Sequence, residues 1–112
     1  MKVIPLQDNV LHVYIGQNAV ENWKLIDKFC MMNYMWFHLE DYPSCHAFVE
    51  NDTLSPEDIQ QVSEMCKEHT SKCKDKKNVK VCYTHISNLK KGKDTGSVLF
   101  KNINRKNVIN VS

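Results

Sequence analysis

Glycine and proline are scarce in this chain of 112 residues, at three each. That scarcity excludes collagen-like, elastic and low-complexity material. With glycine only at positions 16, 92 and 96, there is no Gly-x-Gly-x-x-Gly fingerprint and no P-loop. Long apolar runs are missing as well. The longest uncharged apolar-rich stretch, Phe29 to Leu39, is broken by Asn33 and His38, well short of the roughly 20 residues that a membrane span needs. The opening residues Met1–Pro5 meet Gln7-Asp8-Asn9 too soon to read as a signal peptide. No Cys-x-x-Cys occurs among the five cysteines at 30, 45, 66, 73 and 82, and an odd number cannot pair fully within one chain. Free thiols in a reducing, cytoplasmic compartment are the expectation. Neither Gly-x-Ser-x-Gly nor a Ser-His-Asp or Cys-His arrangement is recognisable, so nothing demands an enzyme.

What is present is enough for a core. At 42% hydrophobic residues the chain reads as one folded domain over residues 1–112. The net charge of +2 conceals an asymmetry. Residues 1–66 carry three bases against ten acids, a net of −7, and residues 67–112 carry twelve bases against three acids, a net of +9. A surface that basic attracts polyanions and gains free energy as their counterions are released. Lysine outnumbers arginine fourteen to one, which favours diffuse phosphate attraction over bidentate base reading. The alternative is a solvated lysine-rich face.

The local patterns predict an α+β fold with a largely antiparallel sheet and two helices, in the order β-α-β-β-α-β-β-β. Val10 to Ile15 reads as a strand ending at Gly16. Asn18-Ala19-Val20-Glu21 is a capping box opening a helix over 18–29, with Ala19, Trp23, Ile26 and Cys30 on its inner face. Met35–Leu39 and Cys45–Val49 read as paired strands across the Glu40–Pro43 turn. Ser55-Pro56-Glu57-Asp58 starts a second helix, near 55–72, with Ile59, Val62, Cys66, His69 and Cys73 on one face. Val79 to Thr84 alternates as a strand. Asn88 to Gly96 reads as a polar loop, and 97–101 and 108–111 as closing strands across a turn near Asn104-Arg105. Burial of Trp23, Ile26, Ile59 and Val62 is the corresponding expectation.

Cys66, His69 and Cys73 offer three soft ligands. They occupy the apolar face, however, where thiols behave as small hydrophobes, so no metal and no cofactor is expected. Gly16-Gln17-Asn18 before a helix is an anion perch in form. Trp36 and Tyr83 are stacking platforms if exposed and core residues if not.

An ordered set of motifs runs through the chain. It comprises Gly16-x-Asn18-x-x-x-Asn22, Trp36-Phe37-His38, Asp41-Tyr42-Pro43-Ser44-Cys45-His46, Ser71-Lys72, Val79-x-Val81-x-Tyr83-Thr84, Lys90-Lys91 and Gly96-x-Val98. This set resembles the NFACT-R domain over roughly residues 10–112. The sequence departs from the family pattern at Tyr34, commonly Asp, and at Ser44-Cys45, commonly Gly-Ser. The chain looks like the short form, in which the domain stands nearly alone. The resemblance implies a non-enzymatic nucleic-acid-binding module. Its implied partner is RNA, either tRNA or rRNA, with the large ribosomal subunit and translation quality control as the setting. DNA binding or sensing, a protein-interaction adaptor using the acidic half, and a histidine-dependent hydrolase are the rivals. On the leading reading Lys90, Lys91 and Lys93, with Lys72, Lys74, Lys76 and Lys77, hold phosphates. Asn18, Asn22, Trp36, His38 and His46 line the adjoining surface.

Overall fold

A computed structural model describes residues 1–7 and 10–112; Asp8, part of the acidic half, lies outside them. The chain folds as β1 (Lys2–Leu6), β2 (Leu11–Gly16), α1 (Ala19–Phe29), β3 (Met35–Leu39), β4 (His46–Val49), α2 (Pro56–Glu68), β5 (Val79–His85), β6 (Leu89–Lys91), β7 (Val98–Phe100) and β8 (Asn107–Val111). Six strands form one sheet in the order β1-β2-β4-β3-β5-β8, and every neighbouring pair is antiparallel. The α+β expectation therefore holds, and β6 and β7 add a separate two-stranded ribbon.

The two helices cover opposite faces of the sheet. Val62 and Cys66 of α2 pack with Val13, Ile15, Phe37, Ala47 and Val81. Leu25, Ile26 and Phe29 of α1 pack with Trp36, Phe48 and Cys82. Alternate residues of a strand point to opposite faces, so β3 and β4 are buried on both sides. That is why Met35–Phe37 and Cys45–Val49 read as near-continuous apolar runs. The ribbon lies on the α1 side, where Leu89 is in the core and Val98 and Phe100 pack against it.

The helix starts are locally determined. The Asn18 side chain accepts from the Glu21 N–H at 2.9 Å, and the Glu21 carboxylate accepts from the Gln17 N–H at 2.9 Å. Ser55 caps α2 through the Asp58 N–H, with Pro56 in the first turn. Asn18→Ala should cost about 1 kcal/mol in urea unfolding, as for other caps; an unchanged midpoint would show the cap to be redundant.

Several expectations need correction. Ile26 and Val62 are buried, but Trp23 and Ile59 are half-buried. The inner face of α1 is Asn22, Leu25, Ile26 and Phe29, while Ala19 and Cys30 are exposed. α2 stops at Glu68, and a following turn, held by the Thr70 hydroxyl donating to the Cys66 carbonyl at 2.9 Å, carries Cys73 into the core. β1 had no sequence signal: it is an edge strand without regular alternation, and an edge tolerates Pro5. Residues 89–91 are a strand, not part of a loop, because β6 pairs with β7. β8 pairs with β5 instead of β7. Buried Asn88 sets this arrangement: its amide donates to Thr84 Oγ1 and the Asn102 carbonyl, and its oxygen accepts from the Asn102 N–H.

Candidate nucleic-acid interface

Where α1 begins, the sheet, the ribbon and the segment before β8 enclose a cavity of about 840 Å³. Asn18, Asn22, Trp36, His38 and His46 all line it. These five come from α1 and its cap, β3 and β4, so the sheet register and the helix start assemble them. Gly16 and His46 are directly paired across β2 and β4, which puts the entrance of α1 beside the histidine.

The cavity wall is a stack of rings. Trp36 is almost wholly buried, and its Nε1–H donates to His46 Nδ1 at 3.0 Å. That bond requires an unprotonated Nδ1, so neutral His46 carries its proton on Nε2. The His38 ring stacks on Trp36 with centroids 5.6 Å apart and planes 9° from parallel, and meets His46 edge-on at 4.9 Å. Phe100 of the ribbon closes against Trp36 edge-on at 5.8 Å. Burial pushes the His38 pKa below its ordinary value. Burial, with the neighbouring His38, pushes His46 down to about 3. Both imidazoles are therefore neutral at pH 7. Trp36 is thus a buried support of the site and not an exposed platform, and Tyr83 stacks on Phe37 in the other core, centroids 5.3 Å apart.

The lysines named from charge lie outside the cavity. Lys72, Lys74, Lys76, Lys77, Lys90, Lys91 and Lys93 are all exposed. Lys76 sits over the Tyr42 ring at 5.0 Å, next to the cavity residues Pro43 and Ser44. Lys90 and Lys91 do not act as a pair, since adjacent strand residues face opposite ways. Lys91 is held by Asp27 at 2.7 Å and lies over Trp23 at 5.1 Å, so it is not a free cation.

The cation that does line the cavity is Lys106, which charge counting did not single out. Its Nζ is 2.5 Å from a Glu40 carboxylate oxygen and lies over Phe100 at 5.5 Å. Lys106 holds the Glu40 carboxyl below the usual range. Burial and the Glu40 charge push the Cys82 thiol up to about 12. Thr95, Gly96 and Ser97 form a further wall; the motif set held Gly96 alone of these, and none was read as a site residue. The signal there is Gly96, whose φ of +89° lets the loop lie against Ala19. Cys66 and Cys73 are packed in the α2-side core, and His69 Nδ1 is 2.8 Å from the Met65 carbonyl oxygen. Among the described residues, no three His, Cys, Asp or Glu side chains converge in a metal-holding group. Nor is any helix among them long and apolar enough to cross a membrane.

Residues 3–102 match the NFACT protein RNA binding domain. The chain belongs to that family. Part of the motif set falls on the cavity, namely the Asn18 and Asn22 pair, Trp36 with His38, and His46, whereas Ser71-Lys72 and Lys90-Lys91 do not line it. The same fold is seen in the C-terminal structure of the fibronectin/fibrinogen-binding protein from Streptococcus suis. The two share 21% sequence identity with a TM-score of 0.86, over 98% of this NFACT-R chain and 44% of that one. No curated protein matches the chain. The family is an RNA-binding one and not an enzyme family.

Proposed function

We propose that this NFACT-R domain is a non-catalytic module for tRNA or ribosomal RNA, working at the large ribosomal subunit in the cytoplasm as part of translation quality control. The observation that carries the reading is a cavity walled in part by the neutral rings of Trp36, His38 and His46, in a chain of an RNA-binding family that also carries two groups of exposed lysines. Lys90 and Lys93 on the ribbon side, and Lys72, Lys74, Lys76 and Lys77 after α2, supply the phosphate attraction. Lysine contacts to phosphate position a strand without reading its sequence.

The test is fluorescence anisotropy on a tRNA, an unstructured RNA and duplex DNA at several salt concentrations. Lys90→Glu with Lys93→Glu should weaken RNA binding and flatten the log–log salt slope by about 2 on duplex, less on single strands. Lys74→Glu with Lys77→Glu should do the same. Lys2→Glu with Lys24→Glu, in the acidic half, should change little. Absence of RNA binding by the folded wild type would overturn the proposal. Tighter binding to duplex DNA than to either RNA would move it to DNA.

A further inference from the structure

The cavity has an unfilled hydrogen-bonding requirement. The Asn22 side chain lines it, is 5% exposed, and leaves its Oδ1 buried without a partner. The carboxamide is pressed over Gly16, where an added Cβ would lie 2.0 Å from Oδ1. Gly16 is the direct cross-strand partner of His46, so the carboxamide and the imidazole are neighbours on one wall. Because Trp36 occupies Nδ1, His46 presents its Nε2–H as a donor. The wall therefore offers a planar amide and an N–H near one another, beside the rings of His38 and Phe100.

A second feature is the α1 entrance. Asn18 caps the Glu21 N–H and its carbonyl accepts from the Asn22 N–H at 2.9 Å. The amides of Ala19 and Val20 remain as first-turn donors with no intrahelical partner. Gln17, Asn18 and Ala19 line the mouth of the same cavity.

We propose that this cavity receives one unstacked nucleotide of a single-stranded RNA segment, its base edge on Asn22 and His46 and its phosphate at the first turn of α1. The inference rests on the RNA reading above and adds the place where a base enters. An orphaned carbonyl oxygen calls for a donor; a phosphodiester has none, a ribose offers its 2′-hydroxyl alone, and every base edge carries an N–H or NH₂ in the plane of the ring. An asparagine carboxamide matches such an edge in plane. Phe100 and His38, both half-buried and backed by the buried Trp36, give the base an aromatic surround. The exposed lysines outside then follow the backbone, and Lys106, tied to Glu40, lines the same cavity. A base within a duplex does not enter the cavity, because it is paired and stacked there, while duplex phosphates remain open to the lysines outside.

The experiment compares a single-stranded RNA decamer with the same decamer made abasic, which retains the ribose-phosphate backbone and its charge. Wild-type protein should bind the intact strand about 10-fold or more tightly than the abasic one. Asn22→Ala, checked by thermal melt, should bring the two affinities together while keeping the salt slope. Equal wild-type affinity for both strands would overturn the base site and leave RNA binding standing. Binding to neither would overturn both. An undiminished difference in folded Asn22→Ala would remove Asn22 from the site.

Discussion

Lowering the pH from 7 to 5 should cost the protein about 2 kcal/mol of folding stability through His46 alone. In the unfolded chain this histidine takes a proton near its ordinary value of 6.5, whereas in the fold it does not until about 3. Between those two values the unfolded state holds more protons, so stability is full above about pH 6.5 and falls as pH drops through the window. The physical cause is burial beside His38, together with the Trp36 Nε1–H bond, which needs a bare Nδ1. Burial lowers His38 as well, so it adds to the loss with the same sign. The depressed carboxyls, such as Glu40, act below the ordinary carboxylate value of 4.5 and leave the range from 5 to 7 to the histidines. Urea unfolding at pH 7 and pH 5 measures the effect, and His46→Gln should flatten the dependence. Wild-type stability that stays level from pH 7 to 5 would mean that His46 is protonated in the fold, and with it the Trp36 bond would be lost.

Gly96→Ala should open the cavity as well as destabilise the fold. The residue sits at φ +89°, where a Cβ costs about 1–2 kcal/mol by conformation alone. The added atom would also lie 2.7 Å from Ala19 Cβ and 2.8 Å from Ala19 Cα. A helix backbone cannot retreat from such a contact, so the loop must swing off α1. That loop carries Thr95, Gly96 and Ser97 of the cavity wall, and the Ser97 carbonyl accepts from Trp23 Nε1–H at 2.9 Å. The variant should therefore lose stability and RNA affinity together and shift the Trp23 fluorescence. Gly92→Ala is the comparison: without a positive φ, its Cβ would meet the Ser97 hydroxyl at 2.3 Å, which can rotate away by giving up its 2.6 Å bond to the Asp94 carbonyl. Gly92→Ala should cost less than half as much. A Gly96→Ala protein that melts with the wild type would show that the loop does not depend on this close approach.

The parts of the fold legible in the sequence are those made by residues close together along the chain. Asn18 and Glu21, three apart, start α1, and Ser55 with Pro56 starts α2. The Glu40–Pro43 turn, with apolar runs on either side, is sufficient for the β3–β4 hairpin. The motif pattern also named Asn18, Asn22, Trp36, His38 and His46, and these do share one cavity. What distant contacts create was not legible. Pairing of β6 with β7 depends on Asn88 reaching Asn102, and the face that α1 buries depends on which sheet residues it meets. Lys106 joins the site only because β8 lies beside β5 and brings it to Glu40, 66 residues away. Charge counting found the basic half but could not say that Lys91 is spent on Asp27 and Trp23. Local propensity and spacing therefore determined both helices and most of the strands, and the family resemblance named five of the cavity residues. Strand order, register and the approach of Gly96 to Ala19 decided how those residues meet, because hydrogen-bonded pairing and close packing act between segments whose separation in sequence carries no local pattern.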